Sequence, residues 1–290
     1  MTKSIEIVKA TALLKKLKEM KTLPVVAARL TKMIADDNST LRDFEAVIKV
    51  DPTLVMRLLR LVNSPFYGLR TKVKSIPEAV AYIGMDNLRN LIVVDALKNL
   101  FSSRQDSDIF SRTRLWMHCV SVAICSQMIA ERIFGFKGED AFLCGIVHDI
   151  GIIIEDQIVP EEFAKVCKAY NPKENRSIVE YEKEVLGTDH TIIGALLVND
   201  WGLPREVHKG VNKHHDTFKS VDPKSLPAII QTSEYLVSRL NYNALDGMKS
   251  VLSPPLMIQI RDNIKEYKTL AEDLPDEITK AEDIYKLERG

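Results

Sequence analysis

The stretch Leu143-Cys144-Gly145-Ile146-Val147-His148-Asp149-Ile150-Gly151 sets an imidazole and a carboxylate side by side within an apolar run. Burying an unpaired carboxylate costs several kcal/mol or forces it to take up a proton. A cation beside Asp149 removes that penalty, and Gly151 either ends the helix or admits a close backbone neighbour. Outward from this doublet, all six histidines of the chain fall between positions 118 and 215. Five keep one order: His118, then His148-Asp149, then His190, then His214-His215. Neutral imidazole and carboxylate are the ligands that borderline divalent metals prefer. This set is large enough for one ion or for two. Taken singly, His118 reads as a hydrogen-bonded core residue, and His214-His215 as a helix C-terminus favoured by the dipole. Taken together they read as a metal-shaped site. His208 falls outside the order and reads as a surface residue.

The rest of the composition narrows the function classes. Across 290 residues, Lys+Arg and Asp+Glu both number 40, which argues against nucleic acid or an anionic membrane as the main partner. Arg57, Arg60, Arg70, Lys72 and Lys74 lie close in sequence, but no nucleic-acid recognition motif accompanies them. No apolar run approaches the roughly 20 residues of a membrane span, and residues 1–20 lack the unbroken apolar stretch of a secretory signal. A cytoplasmic location is the expectation. The four cysteines, Cys119, Cys125, Cys144 and Cys167, form no C-x-x-C pair, and buried free thiols are expected.

The apolar periodicity predicts an all-α fold. Helices are expected from Ile5 to about Leu23-Pro24, over Val25–Ala35, over Leu41–Lys49, and from Asp51-Pro52 to Asn63. Two more are expected on either side of Gly84, starting at Ser75 and at Asp86 or Asn87 and reaching Phe101. The polar run Ser102–Asp108 divides the chain into an N-terminal helical subdomain, residues 1–105, and a second subdomain, residues 106–245. A long, central helix is expected over Thr113–Phe134, then Glu139–Ile150 carrying the doublet, Pro160–Tyr170 and Ser177–Val185. Thr188 is the expected cap of His190–Val198. Further helices run from Pro204 to His214-His215 and over Leu226–Leu240. Residues 246–290 form a C-terminal tail of helices expected on the outside.

The order His118, His148-Asp149-Ile150-Gly151, His190, His214-His215 resembles the HD phosphohydrolase superfamily. The first half resembles one branch of it, the HD-related output domain or HDOD family. That likeness is carried by Leu23-Pro24, Asp51-Pro52, Leu58-Leu59-Arg60-Leu61-Val62-Asn63-Ser64, Tyr67-Gly68, Ser75-Ile76, Ala79-Val80 and Ile83-Gly84, with Trp201-Gly202-Leu203-Pro204 later on. Asn63-Ser64-x-x-Tyr67-Gly68 is the most specific part, and locally these residues read as a helix stop with side-chain-to-backbone hydrogen bonds. The resemblance implies an N-terminal helical subdomain packed on an HD-type bundle. It also implies a divalent metal centre, mono- or binuclear, of Fe, Mn, Zn or Ni. Its ligands would be His118, His148, Asp149, His190, His214 and His215, with Asp149 as bridge and Glu234 completing one shell.

Two activities follow from the resemblance. One is a bacterial signal-transduction module acting through contacts with a partner protein, its metal site largely retained. The other is a metal-dependent phosphohydrolase acting on a nucleotide or phosphodiester, with Asp149 at the reacting centre and Arg114 or Lys213 holding the phosphate. This chain departs from HD-GYP relatives, because Ile152 stands where they place Lys. Asp216-Thr217-Phe218-Lys219 also supplies no Gly-Tyr-Pro after His215, which argues against cyclic di-GMP as substrate.

Overall fold

The computed structural model describes residues 3–19, 52–64, 67–102, 106–174, 176–245, 247–248 and 250–285. The expected helices Val25–Ala35 and Leu41–Lys49, with Leu23-Pro24 and Asp51, lie outside them. The described residues are helical with no strand.

Helix α1 (Lys3–Glu19) buries one stripe, Glu6, Ala10, Leu14 and Leu17. Helix α2 (Pro52–Val62) is strongly amphipathic and buries Leu54, Leu58, Leu61 and Val62. It stops at Asn63, whose side chain donates to the carbonyls of Leu59 (2.7 Å) and Val73 (2.8 Å) and accepts from the Val73 N–H (2.7 Å). The same amide thus ends α2 and pins the far side of the following loop. Helix α3 (Ile76–Phe101) starts at a Ser75 cap and breaks at Gly84, where φ is 79° and ψ is 168°. That is a backbone state open to glycine and strained for other residues, so the two expected helices meet there in one kinked element. Arg57 clamps α2 to α3 through a two-point bond to Asp95 (2.6 and 3.0 Å).

Helix α4 (Arg112–Met128) is the expected central helix, buried along most of its length from Arg112 to Cys125. It closes with a π-helical turn, Ile129–Ile133. It is followed by α5 (Glu139–Val147), α6 (Ile150–Ile158), α7 (Pro160–Ala169), α8 (Ile178–Val185), α9 (His190–Asp200), α10 (Arg205–Lys213), α11 (Leu226–Arg239), α12 (Pro254–Asp262) and α13 (Ile264–Tyr285). Helix α4 packs on α5, α11 and α13. The first half joins this bundle where Arg89 of α3 pairs with Asp140 (2.6 Å) and Asn90 donates to the Glu139 carbonyl (2.8 Å). Helix α1 packs on α6 and α9.

Three expectations need correction. The helix over Glu139–Ile150 is two helices, because the chain turns at His148-Asp149, with Asp149 at φ −99°, ψ 14°. The cap of α9 is Asp189 rather than Thr188. Its carboxylate accepts from the N–H groups of Thr191 and Ile192, at 2.9 and 3.1 Å, which a charged acceptor does better than a hydroxyl at a positive helix end. The tail is not merely external. Helix α13 lies along α4 and buries Tyr267, Leu270, Leu274, Ile278 and Ala281.

Gly151 opens α6 rather than ending a helix. A Cβ there would stand 2.1 Å from the His190 carbonyl oxygen, so only glycine lets α6 and α9 cross this closely. Gly151→Ala is expected to cost about 1–3 kcal/mol or more through overpacking, read as a lower urea midpoint with unchanged slope.

Candidate metal centre

The turn between α5 and α6 delivers His148 and Asp149 to the point where α4, α9, α10 and α11 converge. His118 comes from the middle of α4, His190 from the first position of α9, His214-His215 from the end of α10, and Glu234 from α11. Two groups of donors result. His118, His148, Asp149 and Glu234 form one, and Asp149, His190, His214 and His215 form the other, with the donor atoms of each within 4.8 Å of one another. Asp149 belongs to both. Its Oδ2 faces His118 Nε2 at 3.6 Å and His148 Nε2 at 3.3 Å, while Oδ1 faces His190 Nε2 and His214 Nε2, each at 3.4 Å. His148 Nε2 lies 3.7 Å from Glu234 Oε1.

These separations exceed the roughly 2.7–3.2 Å of a good N–H···O hydrogen bond. Two donors on one ion at about 2.1 Å stand about 3.0–3.4 Å apart, close to what is seen. The tips of His118, His148, Asp149, His215 and Glu234 are buried with no hydrogen-bond partner. Buried polar atoms are ordinarily satisfied, so this many orphans around one point fit a cation. The far sides of the rings are satisfied. His118 Nδ1 meets the Tyr242 carbonyl at 2.7 Å, His148 Nδ1 that of Gly145 at 2.8 Å, and His214 Nδ1 that of Val211 at 2.8 Å. A ring that donates Nδ1–H to a carbonyl presents the Nε2 lone pair to the centre. Gln231 steadies the end of α10 by donating to the carbonyls of His214 and Asp216, both at 3.0 Å.

The electrostatics follow from burial. Burial pushes His118 and His214 each down to about 4 and His215 well below its usual range, so these rings stay neutral. Burial works to raise Asp149, but His148, His214 and His190 around it hold its carboxyl well below the ordinary range. Burial pushes Glu234 up to about 8. His190 differs: burial works to lower it, but the Glu182 carboxylate outweighs that and holds it at about 9.

All the residues expected as ligands therefore converge. Arg114 and Lys213, expected at a phosphate, are both exposed, one turn ahead of His118 and one residue ahead of His214. The buried arginine of α4 is Arg112, which pairs with Asp156. His208 is partly buried and belongs to neither donor group. Cys119, Cys125 and Cys144 are buried free thiols and Cys167 is half-buried. Among the buried acids that the sequence reading missed are Glu182 behind His190 and Glu155 on α6. A signal for Glu182 existed, since it lies four residues after Ile178 on the apolar face of α8, where a carboxylate needs a partner.

The family profile of the HDOD domain matches residues 20–217. The chain belongs to the HDOD family. An uncharacterised protein of Treponema pallidum is 25% identical over 242 residues, covering 82% of this chain and 45% of that protein. The chain spans less than half the length of the curated relatives it matches. Among solved structures, an HDOD domain protein of unknown function from Geobacter sulfurreducens superposes with a TM-score of 0.75 at 22% identity, covering 97% of this chain and 99% of that one. A provisionally assigned phosphohydrolase from Shewanella amazonensis SB2B gives 0.70 at 28% identity, covering 95% and 97%. No described helix is long and apolar enough to cross a membrane.

Glu234 carries a testable cost. Its folded value of about 8 lies above the ordinary carboxyl value of 4.5. Its neutral form is free of penalty below 4.5, and stability is lost as pH rises from there towards 8. Metal-free Glu234→Gln is expected to be more stable than the parent at pH 8, on the order of 4 kcal/mol, and nearly equal at pH 4.5. Urea unfolding at the two pH values measures this.

Proposed function

We propose that this HDOD chain is a regulatory module of bacterial signal transduction with a binuclear divalent-metal centre of Fe, Mn, Zn or Ni built into its core. In this reading it acts through contacts with a signalling protein partner. The observation that carries the reading is the closure of the centre. The donor atoms of His118, His148, Asp149, His215 and Glu234 are buried, and only His215 is partly exposed as a residue, an enclosure that suits a structural ion better than one that must admit a substrate. Ile152, where HD-GYP relatives place Lys, is buried as an apolar core residue, which fits a loss of catalysis with retention of the site.

A second reading, a metal-dependent phosphohydrolase, is favoured by the way Asp149 turns one oxygen to each donor group. A carboxylate between two ions is the arrangement that two-metal phosphoester hydrolysis uses, with the ions supplying Lewis acidity. Its substrate would be a small phosphate compound, a nucleotide or a phosphodiester other than cyclic di-GMP. Arg114 and Lys213 would meet the phosphate from the surface.

Protein purified without chelator or affinity metal is expected to carry close to two ions per chain, with most lost in His148→Ala. Chelation should lower the melting temperature by several degrees, and a phosphoester panel should give no turnover. Hydrolysis that rises and falls with metal content would establish the second reading instead. Metal-free parent protein with unchanged stability would sink both.

A further inference from the structure

The four histidines with a resolved Nδ1 partner are not held alike. His118, His148 and His214 give Nδ1–H to neutral carbonyls, whereas His190 gives it to a carboxylate. The two oxygens of Glu182 lie 2.8 and 2.7 Å from His190 Nδ1, and Oε2 also accepts the His190 backbone N–H at 3.1 Å. Glu182 has no solvent exposure. It therefore fixes the ring and the first peptide of α9 together. A charged acceptor behind an imidazole raises the basicity of the opposite nitrogen and locks the tautomer that offers its lone pair forward. Glu155 lies beside Glu182 and is fully buried. Burial and the nearby charges of Glu182 and Asp189 push it well above the carboxylate range.

We propose that Glu182 is a positioning residue for one ion of the pair only: it aims His190 at the Asp149, His190, His214 and His215 position and leaves the His118, His148, Asp149 and Glu234 position unaffected. The two positions are then chemically unequal, one rich in nitrogen and backed by a buried charge, the other richer in oxygen. This rests on the metal reading above, but it separates from it experimentally.

The experiment is calorimetric titration of the chelator-stripped 290-residue chain with Zn²⁺. The parent should take up two ions. Glu182→Gln should weaken one of them about 10- to 100-fold, as loss of an outer partner commonly does. The weakened ion should be the one that His215→Ala removes. The ion that Glu234→Gln removes should keep its parental affinity. Glu155→Gln, equally buried but without contact to a ligand ring, should leave both unchanged. Glu182→Asp, which keeps the charge, should give the same selectivity at smaller size and serves if the Gln variant does not fold. Equal weakening of both ions in Glu182→Gln, or of neither, overturns the proposal while the metal reading stands. So does an effect of Glu155→Gln as large as that of Glu182→Gln. A parent chain that binds no Zn²⁺ overturns both.

Discussion

The Asp149 carboxylate is the constraint on which the rest depends. It has no solvent exposure and, among the described residues, no hydrogen bond at either oxygen, and it stands among four imidazoles from four different segments. A lone carboxylate there would be costly. The surrounding rings hold it ionised, and the helices exist in this arrangement to bring those rings in. The chain turns at Asp149 rather than running through it. Gly151 is glycine because the neighbouring backbone of His190 comes so close, and His118 reaches the middle from α4, which its packing on α5, α11 and α13 buries.

The fold was largely legible because helices advertise themselves through spacing. The amphipathic pattern of α2, the glycine at position 84 and the proline-led starts of α2 and α11 each carry a local signal that needs no knowledge of the partner. The same holds for Asn63, whose hydrogen bonds are with its own helix and the loop beside it. The turn at His148-Asp149 was not legible. Leu143 to Ile154 is apolar apart from the His148-Asp149 doublet and holds no proline to mark a break. The inner role of α13 was hidden for a related reason: its apolar stripe is plain, but what it covers is set by α4 far away in sequence.

For the site, rarity decided what could be read. Six histidines in one stretch stand out, and each of the five in order reaches the centre. Acidic residues number 40, so Glu155 and Glu182 are lost in the crowd until burial singles them out. Glu234 was found through resemblance to relatives. Asp189 was passed over in favour of Thr188, since both residue types cap helices and only geometry separates adjacent candidates.

The converging segments have one more consequence. The donors come from α4, the α5–α6 turn, α9, α10 and α11, so an ion held among them ties together most of the bundle at a single point. It works as a crosslink made of coordination bonds, and its release requires several helices to part at once. Exchange with the surrounding pool is then as slow as opening of the core itself. An ion bound there would be chosen while the chain folds, and it would stay as a lasting imprint of the ions present at that moment.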